Sequence, residues 1–280
     1  EQLLSNVDMI EIKLGQGALA GMGDRIEASL IPDEAKKSME LKENEDAVIN
    51  EYFFENQTLS DLKELVEALR KTSEGVPIGV KLMASGHLEE DLDRLIEIGV
   101  DVIAVEGGQG GTHGSPPILQ DDFGIPTLHA IVRANKHLQK RNVKDKISLI
   151  AAGGLNVPGD FLKAIAFGAD AIYVGTSILY AINHNQFLKP LPWEPASQTV
   201  WSTGSEKDAF DVEMGAKSGY HFLHSCSEEM RFALRAMGKK SLKDLSTSDL
   251  ITYDETIAKM AGIAYSFQSQ ASTKNGNNKP

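Results

Sequence analysis

The segment VEGGQGGTHGSPP, residues 105–117, places four glycines within five positions directly after the apolar run GVDVIAVE. Glycine turns the backbone sharply and lets another molecule reach the peptide groups, so a strand that delivers such a bare loop suggests a ligand. Two further glycine-bearing strand ends follow, AAGG at 151–154 and YVGTS at 173–177. The backbone amides of Gly153, Gly154, Gly175 and Thr176, with the Thr176 hydroxyl, can form an anion nest of the kind that holds a phosphate. The competing reading is that these glycines only make tight turns. His221, His224 and Cys226 lie close together in GYHFLHSCSEEMRF and superficially suggest a metal site. Histidines three apart on an amphipathic helix read more simply as packing and surface residues, and a lone helical Cys226 as a small buried hydrophobe. No metal is expected.

The elements that must carry these loops alternate along the chain. Short β-branched runs at 9–14, 76–82, 100–106, 146–152 and 169–175 read as buried parallel strands. Helical patterns stand between them: TLSDLKELVEALRKT, HLEEDLDRLIEIG, TLHAIVRANKHLQKR and VPGDFLKAIAFG, two of which end at glycine. Repeated strand and helix is the signature of right-handed βαβ units, and most strands finish in a glycine-rich or polar loop. A site at the C-terminal strand ends follows. The G-x-G-x-x-G fingerprint of a doubly wound dinucleotide fold is absent, whereas glycine-bearing loops after two successive strands fit the phosphate site of a (β/α)8 barrel.

Composition limits what surrounds that site. With 28 basic against 40 acidic residues, the formal charge of -12 disfavours a nucleic-acid or anionic-membrane surface and still allows a local anion pocket. A single cysteine among 280 residues excludes an internal disulfide framework and points to the cytoplasm. No apolar run approaches the roughly 20 residues needed to span a bilayer, so no membrane contact is expected from these residues.

In order and spacing, MIEIKLGQGALAG, VPIGVKL, EGGQGGTHGSPP, RNVKDKISLIAAGGL and GADAIYVGTSIL resemble the FMN-binding synthase domain of the glutamate synthase large subunit. The resemblance runs from about residue 7 to 179 and fades toward 254. It implies a (β/α)8 TIM barrel with FMN at its C-terminal mouth, where 2-iminoglutarate, formed from 2-oxoglutarate and ammonia, is reduced to glutamate. Carried over, Gly153, Gly154, Gly175 and Thr176 hold the FMN phosphate, and Lys81 is the lysine near the flavin N1 and O2. A lysine there stabilises the anionic reduced ring. Lys13 and Gln16 resemble the pair facing the flavin and the keto acid, and Gly107, Gly108, Gly110 and Gly111 clear space for the cofactor while Thr112 donates a hydroxyl. His113 either donates a proton to the substrate or caps the loop. Each lysine has a bland alternative, solvation or pairing with Glu11 or Glu106.

Two departures bear on activity. The cysteine-rich segment that holds an iron–sulfur cluster in glutamate synthases corresponds here to INHNQFLKPLPWEPASQTVW, which has no cysteine. No cluster is therefore expected, and electrons would come from a soluble reductant or a donor protein. Ammonia would be free or brought by a separate partner. Five strands are also fewer than a closed barrel needs, so the chain reads as the C-terminal part of a longer barrel whose N-terminal segment is missing. The expected organisation is barrel at 1–180, helical appendage at 181–265 and disordered tail at 266–280, with 24–56 as a loop or insertion whose helical piece is a solvated face. Other readings are a non-catalytic FMN-binding paralogue, a barrel like type 2 isopentenyl diphosphate isomerase, and a flavin-free phosphosugar barrel.

Overall fold

The computed structural model describes residues 7–19, 23–49, 58–111, 115–186, 199–200 and 204–267. In chain order the main strands and helices are β1 (Ile10–Lys13), β2 (Asp24–Ile26), α1 (Asp33–Ser38), β3 (Ala47–Ile49), α2 (Leu59–Thr72), β4 (Ile78–Met83), α3 (Leu88–Ile98), β5 (Val102–Glu106), α4 (Pro117–Asp122), α5 (Thr127–Lys140), β6 (Ser148–Ala152), α6 (Pro158–Ala166), β7 (Ala171–Ile172), α7 (Thr176–Asn183), α8 (Val212–Ala236), β8 (Ile251–Thr252), α9 (Glu255–Ala261) and β9 (Ala264–Tyr265). Five of the strands form one parallel sheet in the order β1-β4-β5-β6-β7, an α/β arrangement that makes an arc of a (β/α)8 barrel. Among the described residues the sheet is open, with β1 and β7 at its edges.

Alternation along the strands sorts their side chains onto two faces. One face sends Val80, Leu82, Ile103, Val105 and Leu149 into the main core, where they meet Val66 of α2, Leu88, Leu92 and Leu95 of α3, and Ala130, Ala134 and Leu138 of α5. These helices begin and end where the local chemistry allows. Thr58 and Asp61 form a reciprocal capping box on α2, and Gly99 closes α3 in the left-handed conformation at φ 84°. The opposite face carries a smaller cluster of Val102, Ala104, Ile150, Met9 and Tyr173 together with the charged side chains described below.

Several elements differ from the sequence reading. Residues 24–56, expected as a loop or insertion with a solvated helical piece, contain the short helix α1 and also an unexpected antiparallel pair, β2–β3, around it. The two strands pair through their antiparallel backbone ladder, and a largely exposed contact of Arg25 with Asp46 at 2.6 Å, with Asp46 accepting the Ala28 amide at 2.8 Å, adds to it. Strands of three residues show no usable alternation, which is why they escape a periodicity argument. β7 is two residues long where a run of seven was expected. Beyond residue 181, α8 packs against α6 and α7. α9 brings Ala261 onto Ile131 and Val132 of α5, and Lys136 of α5 donates to the Met260 carbonyl at 2.6 Å. The segment therefore lies on the α/β body, and its stretch from 241 to 263 is a mixture of 3-10 turns, β8 and α9 where helix alone was expected. The expected tail from 268 onward lies outside the described residues.

Candidate active site

Strand register fixes which side chains meet. Lys13 stands opposite Lys81, Lys81 opposite Ala104, and Met83 opposite Glu106, so Lys81 and Glu106 share the face away from the main core. Lys81 lies near the C-terminal end of β4, followed in the strand by Leu82 and Met83. Its Nζ lies 3.0 Å from Glu106 Oε2, with the two side chains only 15% and 10% exposed. That approach is an ion pair and not an aligned hydrogen bond, because Glu106 Oε2 has no geometrically satisfied donor. Lys81 Nζ also sits 5.9 Å from the centre of the Tyr173 ring, and the Tyr173 hydroxyl donates to Glu11 at 2.8 Å. Burial first, then the Glu11 carboxylate, pushes the Tyr173 phenol up to about 12. Of the two partners open to the lysines, Glu106 takes Lys81 and Glu11 turns to Tyr173. Lys13 is exposed and donates to Gln16 Oε1 at 2.5 Å, while the Gln16 amide reaches the Gly111 carbonyl at 3.4 Å.

The glycine loop after β5 is stitched to its neighbours. Gly107 donates to Ala152 at 3.1 Å, Gly108 to Ile125 at 2.8 Å, and Ala18 to Gly110 at 2.8 Å. Ser115 donates to the Ala18 carbonyl, and the Gln109 side chain accepts the Thr127 amide at 2.8 Å. A Cβ on Gly107 would lie 2.2 Å from Thr127 Oγ1, on Gly108 2.9 Å from the Phe123 carbonyl, and on Gly110 2.3 Å from the Glu106 carboxylate. Three of the four glycines are thus required by the chain's own packing. Gly111 is the exception, with nothing within 4 Å of its Cβ position. Thr112 and His113 lie outside the described residues.

At the ends of β6 and β7 the anion candidates come together. Tyr173 donates to Ala151 at 2.9 Å, which sets the loop at Gly175 and Thr176 beside the loop at Gly153 and Gly154. Gly153 and Gly154 have φ of 101° and 67°, values that side chains rarely adopt. No backbone acceptor pairs with the amides of Gly153, Gly154, Gly175 or Thr176 among the described residues. A Cβ on Gly175 would meet nothing within 4 Å and Thr176 opens α7, so the space is clear on that side at a helix N-terminus, whereas a Cβ on Gly153 would lie 2.9 Å from the Gly107 carbonyl and one on Gly154 2.7 Å from Gln109 Cβ. Unpaired donors and clear space fit a phosphate. The nest adjoins the charged face because Gly153 packs against the Gly107 carbonyl and Tyr173 lies two residues before Gly175.

The residues missed from sequence are Glu106 as the settled partner of Lys81, Tyr173, and the Gln109–Thr127 latch. Only the first left a signal, a carboxylate ending the otherwise apolar VIAVE. His221 and His184 line a cavity of about 760 Å³ between α7 and α8 with Ser177, Tyr180 and Lys217. No group of three or more metal-ligating side chains occurs among the described residues. Cys226 is buried, and burial followed by Glu229 pushes its thiol up, away from a reactive thiolate. No helix of the described residues is long and apolar enough to cross a membrane.

Comparison with known proteins places these features in a lineage. Residues 1–238 match the family described as the conserved region in glutamate synthase. The archaeal-type NADPH glutamate synthase of Thermotoga neapolitana is 28% identical over 241 residues, covering 84% of this chain and 47% of that protein. The archaeal NADPH glutamate synthase of Methanocaldococcus jannaschii is 27% identical over 250 residues, covering 88% and 48%. A glutamate synthase large subunit-like protein of Rhizobium meliloti is 27% identical over 281 residues, covering 93% and 62%. The chain spans about half the length of the first two relatives. Among solved structures, a double mutant of flavocytochrome b2 with sulfite bound superposes with a TM-score of 0.51 at 20% identity, over 86% of this chain and 46% of that one. This likeness supports the α/β barrel fold.

Proposed function

The chain belongs to the glutamate synthase conserved-region family, and from that premise we propose that it carries the FMN site of a glutamate synthase-type oxidoreductase. The reaction is reduction of 2-iminoglutarate, formed from 2-oxoglutarate and ammonia, to glutamate. The observation that carries this reading is the meeting, at one end of the parallel sheet, of a nearly buried Lys81–Glu106 pair and a set of unpaired amides at Gly153, Gly154, Gly175 and Thr176. Cation and anion nest suit the two ends of one cofactor.

In this reading the four amides and the Thr176 hydroxyl hold the phosphate of FMN, and Lys81 stands at the edge of the ring system that gains negative charge. Bound FMN would supply the hydride for the imine carbon. The chain's own groups do the rest. Lys81, desolvated on the inner face, stabilises developing negative charge better than a solvated lysine would. Lys13 and Gln16, already joined to each other, offer a cation and an amide at the mouth where a dicarboxylate needs donors. The strand-end loops at 107–111 and 153–154 exclude water from one side of that mouth. Electrons would come from a separate reductant or donor protein, with no cluster held by this chain, and ammonia would be free or delivered by a partner.

The test is the visible spectrum of the protein incubated with FMN and freed of excess, followed by anaerobic reduction and addition of 2-oxoglutarate with ammonium. Retained flavin bands that bleach and then return only when both substrates are present support the proposal. Flavin that stays reduced refutes the substrate assignment, and a chain that retains no FMN refutes the cofactor.

A further inference from the structure

We propose that Glu106 is the positioning residue for Lys81, and that Gly110 is a glycine because the Glu106 carboxylate fills the space its side chain would need. The proposal rests on the cofactor reading above. Glu106 ends β5, a strand buried at every position, where a lone carboxylate is costly unless a cation meets it. Lys81 meets it at 3.0 Å, across neighbouring strands whose register sets the two on the same face. The other carboxylate of this face, Glu11, is occupied by the Tyr173 hydroxyl at 2.8 Å. Gly110 closes over the pair: a Cβ there would lie 2.3 Å from Glu106 Oε1 and 2.5 Å from its Cδ. The carboxylate holds the ammonium on the inner face and offsets part of its charge. Lys81 therefore reaches the flavin as half of a nearly neutral pair, and removing the carboxylate leaves the cation unopposed.

The test uses the full chain in two states. In the flavin-free protein, acylation of Lys81 by an N-hydroxysuccinimide ester is followed by peptide mass spectrometry in wild type, E106Q and E106D. The Glu106 carboxylate holds the Lys81 side chain on the inner face at only 15% exposure, so E106Q, which releases it toward solvent, should label severalfold faster and E106D near the wild-type rate. Equal rates in wild type and E106Q overturn the positioning role whatever the flavin does. In the FMN-loaded protein, the midpoint potential is read against a reference dye. E106Q should raise the reduced-to-oxidised ratio at fixed poise about tenfold, equivalent to about 30 mV for a two-electron couple. A pair that only braced the sheet would leave the potential unmoved, and that result overturns the electrostatic half of the proposal. A wild-type chain that takes up no FMN defeats the cofactor reading separately, and the labelling rates then decide the positioning role.

Discussion

Tyr173 reports on the inner face directly. Its phenol loses a proton near pH 10 in an unfolded chain and at about 12 in the folded one, because burial and Glu11 disfavour the phenolate. The stability this difference provides is intact below pH 10 and lost as the pH climbs toward 12. A tyrosinate absorbance titration should contain a late component from Tyr173, and Tyr173→Phe should remove it. Breaking the neighbouring pair is more costly. Lys81→Met leaves Glu106 buried without its cation, a change expected to destabilise by about 3 kcal/mol, measurable as a lowered denaturant midpoint at unchanged slope. Gly168→Ala combines a φ of 104° with a Cβ 2.1 Å from the Asn135 amide nitrogen, and should cost about 2 kcal/mol.

The helices that back the sheet are tied to each other by charge as well as by packing. Arg133 of α5 grips Glu89 of α3 through Nε at 2.7 Å and through Nη2. That hydrogen bond holds the Glu89 carboxyl below the usual range. A lowered carboxyl stabilises the fold above its unfolded value, near pH 4.3, and the contribution fades as acid protonates it. Thermal melts should show wild type losing more of its midpoint than Glu89→Gln between neutral pH and mild acid. At this scale the sequence was informative where periodicity is strong. The helices α2, α3, α5 and α6 and the strands β4, β5 and β6 follow from apolar spacing, because each buries one face in a common core. Short elements were illegible for the opposite reason. β2 and β3 pair across the chain, with Arg25 reaching Asp46 21 positions away, and nothing local announces that contact. The same limit applies within the site. The glycines of 107–111 were conspicuous, yet what three of them make room for, namely Thr127, Phe123 and Glu106, emerges only when the strands are in register.

Over the whole molecule, the five-stranded sheet presents two edges, β1 and β7, that pair on one side only among the described residues. Such edges recruit further strands. The 280-residue chain by itself should therefore self-associate in a concentration-dependent way, visible by light scattering, and salt should not reverse it. The loop after β1 and the loop after β5 carry a different consequence. Ala18 donates to Gly110, the Gln16 amide reaches Gly111, and Gly17 is so close beneath Gly107 that a Cβ would lie 2.2 Å from its carbonyl. The two loops bypass the strand between them and hold one another, so neither can lift without the other. Entry to the mouth is then a single gating event with one rate. Hydrogen exchange at the Ala18 amide, which bridges the two loops, should report that event, and Gly17→Ala should accelerate it, turning a slow door into a fast one.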